Sequence, residues 1–341
     1  MAVLGAAAGG GGGGQLPVIS FQTSRTWAPS YDLTAYVYVI GGGGAGGACK
    51  SSNGQAGGGG AGGCAVSKLD LSSGTTYTIT IGAAGASSAA NGAGVAGGNG
   101  GASSFSGSGI STMTANGGTG GVATTSAAPG ATTGAAGGTA TGGTLGNFTG
   151  GKGGGFNAGT TNYGCAGGGA VGLWQNGNDA ENAISAYSYS APGASVNIEQ
   201  GDIDPTYDYQ KAHGSSNTVW AYPAFTTVEP FSGIFTSEQL NLQELGSYNA
   251  TFYGNETRER YTGGISLGNK VNRMYLHGGA TWYGGISAPF QGAAGISGGT
   301  NKGQKATAGG GGGGVYDYSV ATQSGAGGRG IVLIFPVSLG A

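Results

Sequence analysis

Thr34-Ala-Tyr-Val-Tyr-Val-Ile40 runs without a break into Gly41-Gly-Gly-Gly-Ala-Gly-Gly47. The first half is β-branched and aromatic, residue types that suit a pleated, half-buried surface, and it ends where glycine begins. The second half has almost no side chains. Two further strand signals stand against glycine in the same way: Thr75-Thr-Tyr-Thr-Ile-Thr-Ile81 alternates strictly and stops at Gly82, and Gly330-Ile-Val-Leu-Ile-Phe335 closes at Pro336. Their matched lengths predict that 34–40, 75–81 and 330–335 pair in one sheet. Because the first and last are separated by nearly the whole chain, that pairing makes 34–335 one closed unit.

Between the strands lie Gly9–Gly14, Gly41–Gly44, Gly57–Gly60 and Gly309–Gly314, with mixed Gly/Ala/Ser/Thr/Asn tracts from 82 to 170. Ordering a residue costs about 1–2 kcal/mol of backbone entropy, and glycine loses most. Only a dense, repeated backbone interaction offsets that cost over 83 glycines. Extended three-fold polyglycine II helices, geometrically like polyproline II and packed side by side, supply one. The competing reading is a solvated flexible tract. The expected architecture is therefore mainly β: a small antiparallel sheet or sandwich base with stacked polyglycine II helices and an aromatic-rich insertion of strands and loops. In such a stack Gly58 and Gly311 have no room for a valine side chain.

Composition narrows the function. Glycine and proline take 92 of 341 positions, and charged residues make up 8%, where about 25% is usual. The aromatic content, 17 Tyr, 10 Phe and 4 Trp, is too high for a solvated tail. A net charge of −2 lacks the basic footprint that phosphate neutralisation needs, so nucleic acid is not expected as a partner. No run of 18 apolar residues predicts membrane insertion. Met1–Gly14 has neither an early cation nor a leucine-rich core, so it does not read as an export signal, and synthesis in the cytosol is expected. Cys49, Cys64 and Cys165 read as small buried thiols; one pair could still form a disulfide. No metal or cofactor is expected.

Residues 173–290 are a different material. They hold 14 Gly in 118 positions, 18 of the 31 aromatic residues and 11 of the 14 acidic ones. The chain thus divides into an N-terminal arm (1–33), a discontinuous glycine-rich domain (34–172 and 291–341) and an acidic aromatic insertion (173–290). Thr236 and Gln239 have capping-box spacing ahead of Gly246, which makes 236–246 a helix candidate, with a strand around Leu240 and Leu242 equally open. Carboxylates at 199, 202, 204 and 208 could hold Ca²⁺ but lack the spacing of a calcium loop, so a solvated acidic turn is favoured. Two G-x-S-x-G matches, Gly264–Gly268 and Gly295–Gly299, equal the roughly two that this glycine content gives by chance. The expectation is a protein that is not an enzyme.

Tyr36–Gly47, Gly57-Gly-Gly-Gly-Ala-Gly-Gly-Cys-Ala-Val66, Tyr77-Thr-Ile-Thr-Ile-Gly-Ala-Ala-Gly85 and Gly325-Ala-Gly-Gly-Arg-Gly-Ile-Val-Leu-Ile-Phe335, in that order, resemble the glycine-rich domain of bacteriophage tail-fibre and other virion proteins. The resemblance covers roughly 34–172 and 291–336. It implies a β base carrying polyglycine helices, as in the tip adhesins of T-even-like phages, where loops between the glycine helices touch the host receptor. The insertion has no counterpart there. On this resemblance the chain is expected to be a virion structural protein, tail-fibre-associated and involved in host attachment, with a capsid decoration or head-fibre role as the alternative. The implied partners are other virion proteins and a host surface saccharide or outer-membrane protein. Low charge and many aromatics further predict a homo-oligomer, such as a trimer, or a subunit of a larger assembly. Trp220, Tyr222, Tyr253, Trp282 and Tyr283 are the expected recognition residues, because each lies near turn-forming residues and offers rigid contact area with a polar handle. Core or subunit-interface packing is the bland alternative for each.

Overall fold

The computed structural model describes residues 19–51, 54–125, 134–156, 163–165, 167–171, 176–177, 179–180, 296–297, 306, 309–317 and 321–339. These residues are mainly β, with no helix among them. One antiparallel sheet has the order Ile19–Phe21, Ile331–Leu339, Leu33–Ile40, Cys64–Leu71, Gly146–Phe148. A second has the order Ala140–Thr141, Met113–Ala115, Ser103–Ser106, Tyr77–Thr80, Arg25–Trp27. Residues 19–33, read from sequence as an arm, thus contribute a strand to each sheet.

The two sheets share one core. Leu33, Ala35, Val37, Val39, Val332 and Ile334 from the first meet Tyr77, Ile79, Phe105, Met113 and Ala115 from the second. Tyr77 stacks on Phe105 with centroids 5.3 Å apart and planes at 11°. The opposite face of the first sheet is apolar too: Tyr38, Ile40, Cys64, Val66, Ile331 and Leu333 pack with Ala170 and Val171. Strands buried on both faces read as continuous apolar runs, which is how Val37–Ile40 and Ile331–Ile334 appear.

The first and last strands pair, joining Ile40 to Ile331 and Val37 to Ile334. The expectation that 75–81 joins them is corrected: Tyr77–Thr80 lies in the facing sheet. Its strict alternation is the cause, since it buries Tyr77 and Ile79 and leaves Thr78 and Thr80 exposed, the pattern of a strand covered on one side only. Its expected place is taken by Cys64–Leu71, paired with Leu33–Ile40 along its full length. Exposed Lys68 and Asp70 interrupt the apolar run that would have announced that strand.

Each long strand continues into a glycine tract, and the tracts form a bundle beyond the sandwich. Donors in tract 41–47 change partner with every residue and return every third residue. Gly41, Gly44 and Gly47 donate to Gly63, Gly60 and Gly57. Gly42 and Ala45 donate to Gly101 and Gly98, and Gly43 and Gly46 to Gly328 and Gly325. Its carbonyls accept from Gly118 and Gly121, from Gly85 and from Gly312. Tract 41–47 is therefore ringed by 57–63, 95–101, 82–86, 325–330, 309–314 and 116–122. Tract 57–63 is ringed likewise, by 41–47, 116–122, 134–138, 150–155, 167–171 and 309–314.

Ala45 and Ala61 are accommodated in these tracts, but at most of the glycines such spacing admits no side chain. A Cβ on Gly44 would overlap the Thr119 carbonyl and approach Gly120 N to 2.9 Å. A Cβ on Gly311 would overlap the Gly59 carbonyl and come within 2.9 Å of Gly168 N. Gly58 is buried and donates to Gly154 O at 3.0 Å. Gly309 sits at a turn with φ 74°, against Ile40 Cγ2, where both conformation and space demand glycine. On the rim, burial repeats every three residues: Gly82, Gly85 and Ser88 are buried and Ala83, Ala86 and Ala89 exposed.

Candidate functional site

Alternate tracts run away from the sandwich and back, so the segments that join them collect at the far end. There three small sheets form a cap. Gln55–Ala56 pairs with Ala123–Thr124 and Tyr163–Gly164. Val315–Asp317 pairs with Ala48–Lys50 and Ile296–Ser297. Ala89–Ala90 pairs with Thr322–Gln323. Two-residue strands hold only because the tracts below fix their spacing; alone, such ladders are marginal.

The cap is held by buried small polar groups. The Ser88 hydroxyl lies 3.1 Å from that of Ser324 and also reaches Val95 O at 3.1 Å, while Ser88 N–H donates to Ser324 Oγ at 2.8 Å. Cys49 Sγ donates to Thr124 O and Cys165 Sγ to Gly155 O, each at 3.2 Å. All three cysteines are buried free thiols, which settles the disulfide alternative. Burial raises the Cys64 thiol well above its ordinary range, and the Cys49 thiol in the same direction, so neither is a ready nucleophile. Among the described residues, no group of three or more His, Cys, Asp or Glu could hold a metal ion.

Polar side chains face outward at the rim and stand in for missing neighbours. Asn99 Oδ1 accepts from Gly120 N, Asn176 Oδ1 from Thr149 N, and Asp179 Oδ1 from Lys152 N, each at 2.8 Å. Each supplies the carbonyl that a further tract would have supplied. In the cap, Lys50 Nζ donates to Asn91 Oδ1 at 3.1 Å. Sequence reading missed this pair; its one signal is the Asn-Gly turn dipeptide between two tracts. At the junction of sandwich and bundle, Gln22, Thr23, Ser24, Ile81–Ala84 and Arg329 line an open groove of about 400 Å³.

Trp220, Tyr222, Tyr253, Trp282 and Tyr283 lie outside the described residues, as do 199–208 and 236–246. Short pieces beside the insertion are described: one lies along the bundle and the other in the cap. Gly177 and Ala180 donate to Thr149 and Lys152, so 176–177 and 179–180 lie beside the start of tract 150–155. On the other side, Ile296–Ser297 enters the cap next to Val315–Asp317.

A family model described as a glycine-rich domain matches residues 19–335, and the chain belongs to that family. No curated protein matches it.

Proposed function

We propose that this glycine-rich domain protein is a non-catalytic structural protein of a bacteriophage virion, associated with the tail fibre and involved in host attachment. Its tracts are read as polyglycine II helices, which the three-residue rotation of hydrogen-bond partners supports. At about 3.1 Å per residue, a seven-residue tract sets the cap roughly 20 Å beyond the sandwich. The observation that supports the reading is that Ile296–Ser297, just after the insertion, pairs into the cap, at the end of the bundle opposite the sandwich. A backbone lattice has few side chains with which to discriminate a partner. The insertion concentrates aromatic and acidic groups suited to a saccharide or an outer-membrane protein. The sandwich end is then the attachment point to other virion proteins, with the chain present as a homo-oligomer or as one subunit of that assembly.

Two experiments test this. Immunogold labelling of purified particles is expected to mark the tail; labelling of the shell instead overturns the assignment in favour of a head-fibre or decoration role. Replacing residues 200–285 by a short Gly/Ser bridge is expected to abolish adsorption to host cells while particles still incorporate the protein. Unchanged adsorption by such particles refutes the receptor reading, and lost incorporation of a folded variant marks the insertion as the docking element instead.

A further inference from the structure

Four Asn-Gly pairs lie among the described residues, at 91–92, 99–100, 116–117 and 176–177. Asn116-Gly117 is held in the bundle by Asn116, whose N–H donates to Thr139 O and whose side-chain amide donates to Thr139 Oγ1. A Cβ on Gly117 would overlap the Gly100 carbonyl. Two more pairs are locked there through the glycine amide. Gly100 N–H donates to Gly118 O and Gly177 N–H to Thr149 O, each at 2.9 Å. The preceding Asn99 and Asn176 side chains are themselves tied to backbone amides. Asn91-Gly92 is built differently. It sits at a bend in the cap with the Asn91 side chain exposed, and Gly92 has φ 146° and open space where a Cβ would stand. The Gly92 carbonyl is held by Lys50 N–H, whereas its own N–H donates to no other described residue. The Asn91 carbonyl oxygen carries an ammonium donor, Lys50 Nζ, at 3.1 Å.

We propose that Asn91-Gly92 is a self-modification site, at which the cap converts a neutral amide into a carboxylate. The Gly92 amide nitrogen attacks Asn91 Cγ, forming a new N–Cγ bond. The Cγ–Nδ2 bond breaks, and Nδ2 leaves as ammonia with the amide proton. Water then opens the five-membered imide at either carbonyl, giving aspartate or its β-linked isomer at position 91. Three features of the site favour this. The nucleophile need not first break a backbone hydrogen bond. Glycine puts no side chain in the path of attack. Lys50 stabilises the negative charge that builds on Oδ1 as the tetrahedral intermediate forms. At Asn99 and Asn176 the same chemistry waits for the bundle to open locally. The product carboxylate stands at Lys50 and adds one negative charge to a cap with few charges.

The test is a time course on the intact purified chain at neutral pH and body temperature, followed by peptide mapping for the mass gain of NH₂ replaced by OH and for β-linked aspartate. Position 91 is expected to convert at least about tenfold faster than positions 99 and 176, with the three rates drawing together in denaturant. Lys50→Met, which keeps the side-chain stem and removes the donor, is expected to slow position 91 about threefold while leaving 99 and 176 unchanged. Equal rates at all three positions in the folded chain overturn the proposal. So does permanent loss of ammonia with the Lys50 and Asn91 peptides joined, which is direct amide formation by the lysine. An unchanged rate in Lys50→Met removes the lysine from the mechanism.

Discussion

Gly44→Ala adds one methyl group to the centre of the ringed tract 41–47. Its Cβ would overlap the Thr119 carbonyl oxygen and carbon and lie 2.9 Å from Gly120 N. All three atoms are backbone, so no side chain can rotate away; tracts 41–47 and 116–122 must separate. Two hydrogen bonds cross that seam, Gly118 N to Gly42 O and Gly121 N to Ala45 O. Leaving buried backbone groups unpaired costs about 1–3 kcal/mol each. Two lost bonds therefore cost about 2–6 kcal/mol, against about 0.4–1 kcal/mol regained because alanine restricts the unfolded chain. The net loss of a few kcal/mol is a large share of a typical stability of about 5–15 kcal/mol. Gly57→Ala is the matched comparison, because its Cβ would meet nothing closer than Val122 O at 3.2 Å. In thermal melts followed by near-ultraviolet circular dichroism, Gly44→Ala is expected to lose about 5–15 °C, and Gly57→Ala about 3 °C or less. Equal melting temperatures for Gly44→Ala and the parent chain would refute the close-packed bundle.

Phe105→Ala removes a fully buried ring stacked on Tyr77, and a guanidinium titration is expected to show a loss of about 3–5 kcal/mol. Burial raises the Cys64 thiol and the Tyr38 hydroxyl above their ordinary values of 9.0 and 10.0, so the folded chain keeps these protons longer than the unfolded one. Their contribution to stability is complete below pH 9 and declines as pH rises toward the folded values, by up to about 1.4 kcal/mol per group per pH unit; midpoints at about pH 8 and about pH 10.5 measure it. Asn99→Ala leaves Gly120 N–H to water at the rim, and the same titration is expected to show a loss of about 1 kcal/mol.

The sandwich was legible where both faces of a strand are buried. Val37–Ile40 and Ile331–Ile334 are unbroken apolar runs, and they pair. Assigning Tyr77–Thr80 to the right sheet needed the physical meaning of its alternation, one covered face, and not its length. Cys64–Leu71 stayed hidden because its second half is covered on one face only, with Leu71 in the core and Lys68 and Asp70 exposed on the other side. Glycine tracts announce close approach but not partners, because no side chain distinguishes one tract from another. The rings around 41–47 and 57–63 are fixed by where the sandwich delivers each strand end. The rim caps Asn99, Asn176 and Asp179 were unreadable for a related reason: each serves a backbone amide 21 or 27 residues distant in the chain. The Asn-Gly dipeptide marks the turn at Asn91 but not its partner, because Lys50 lies on a connecting segment 41 residues away.

Amide hydrogen exchange, resolved residue by residue for the glycines, tests the bundle most directly. Amides of 41–47 and 57–63, hydrogen-bonded inside their rings, are expected to exchange only through global unfolding, as slowly as those of Leu33–Ile40 in the sandwich. Exposed rim positions such as Ala83 and Ala86 exchange far faster in the same experiment. Uniformly fast exchange across 41–47 and 57–63, with the sandwich still protected, would contradict the account.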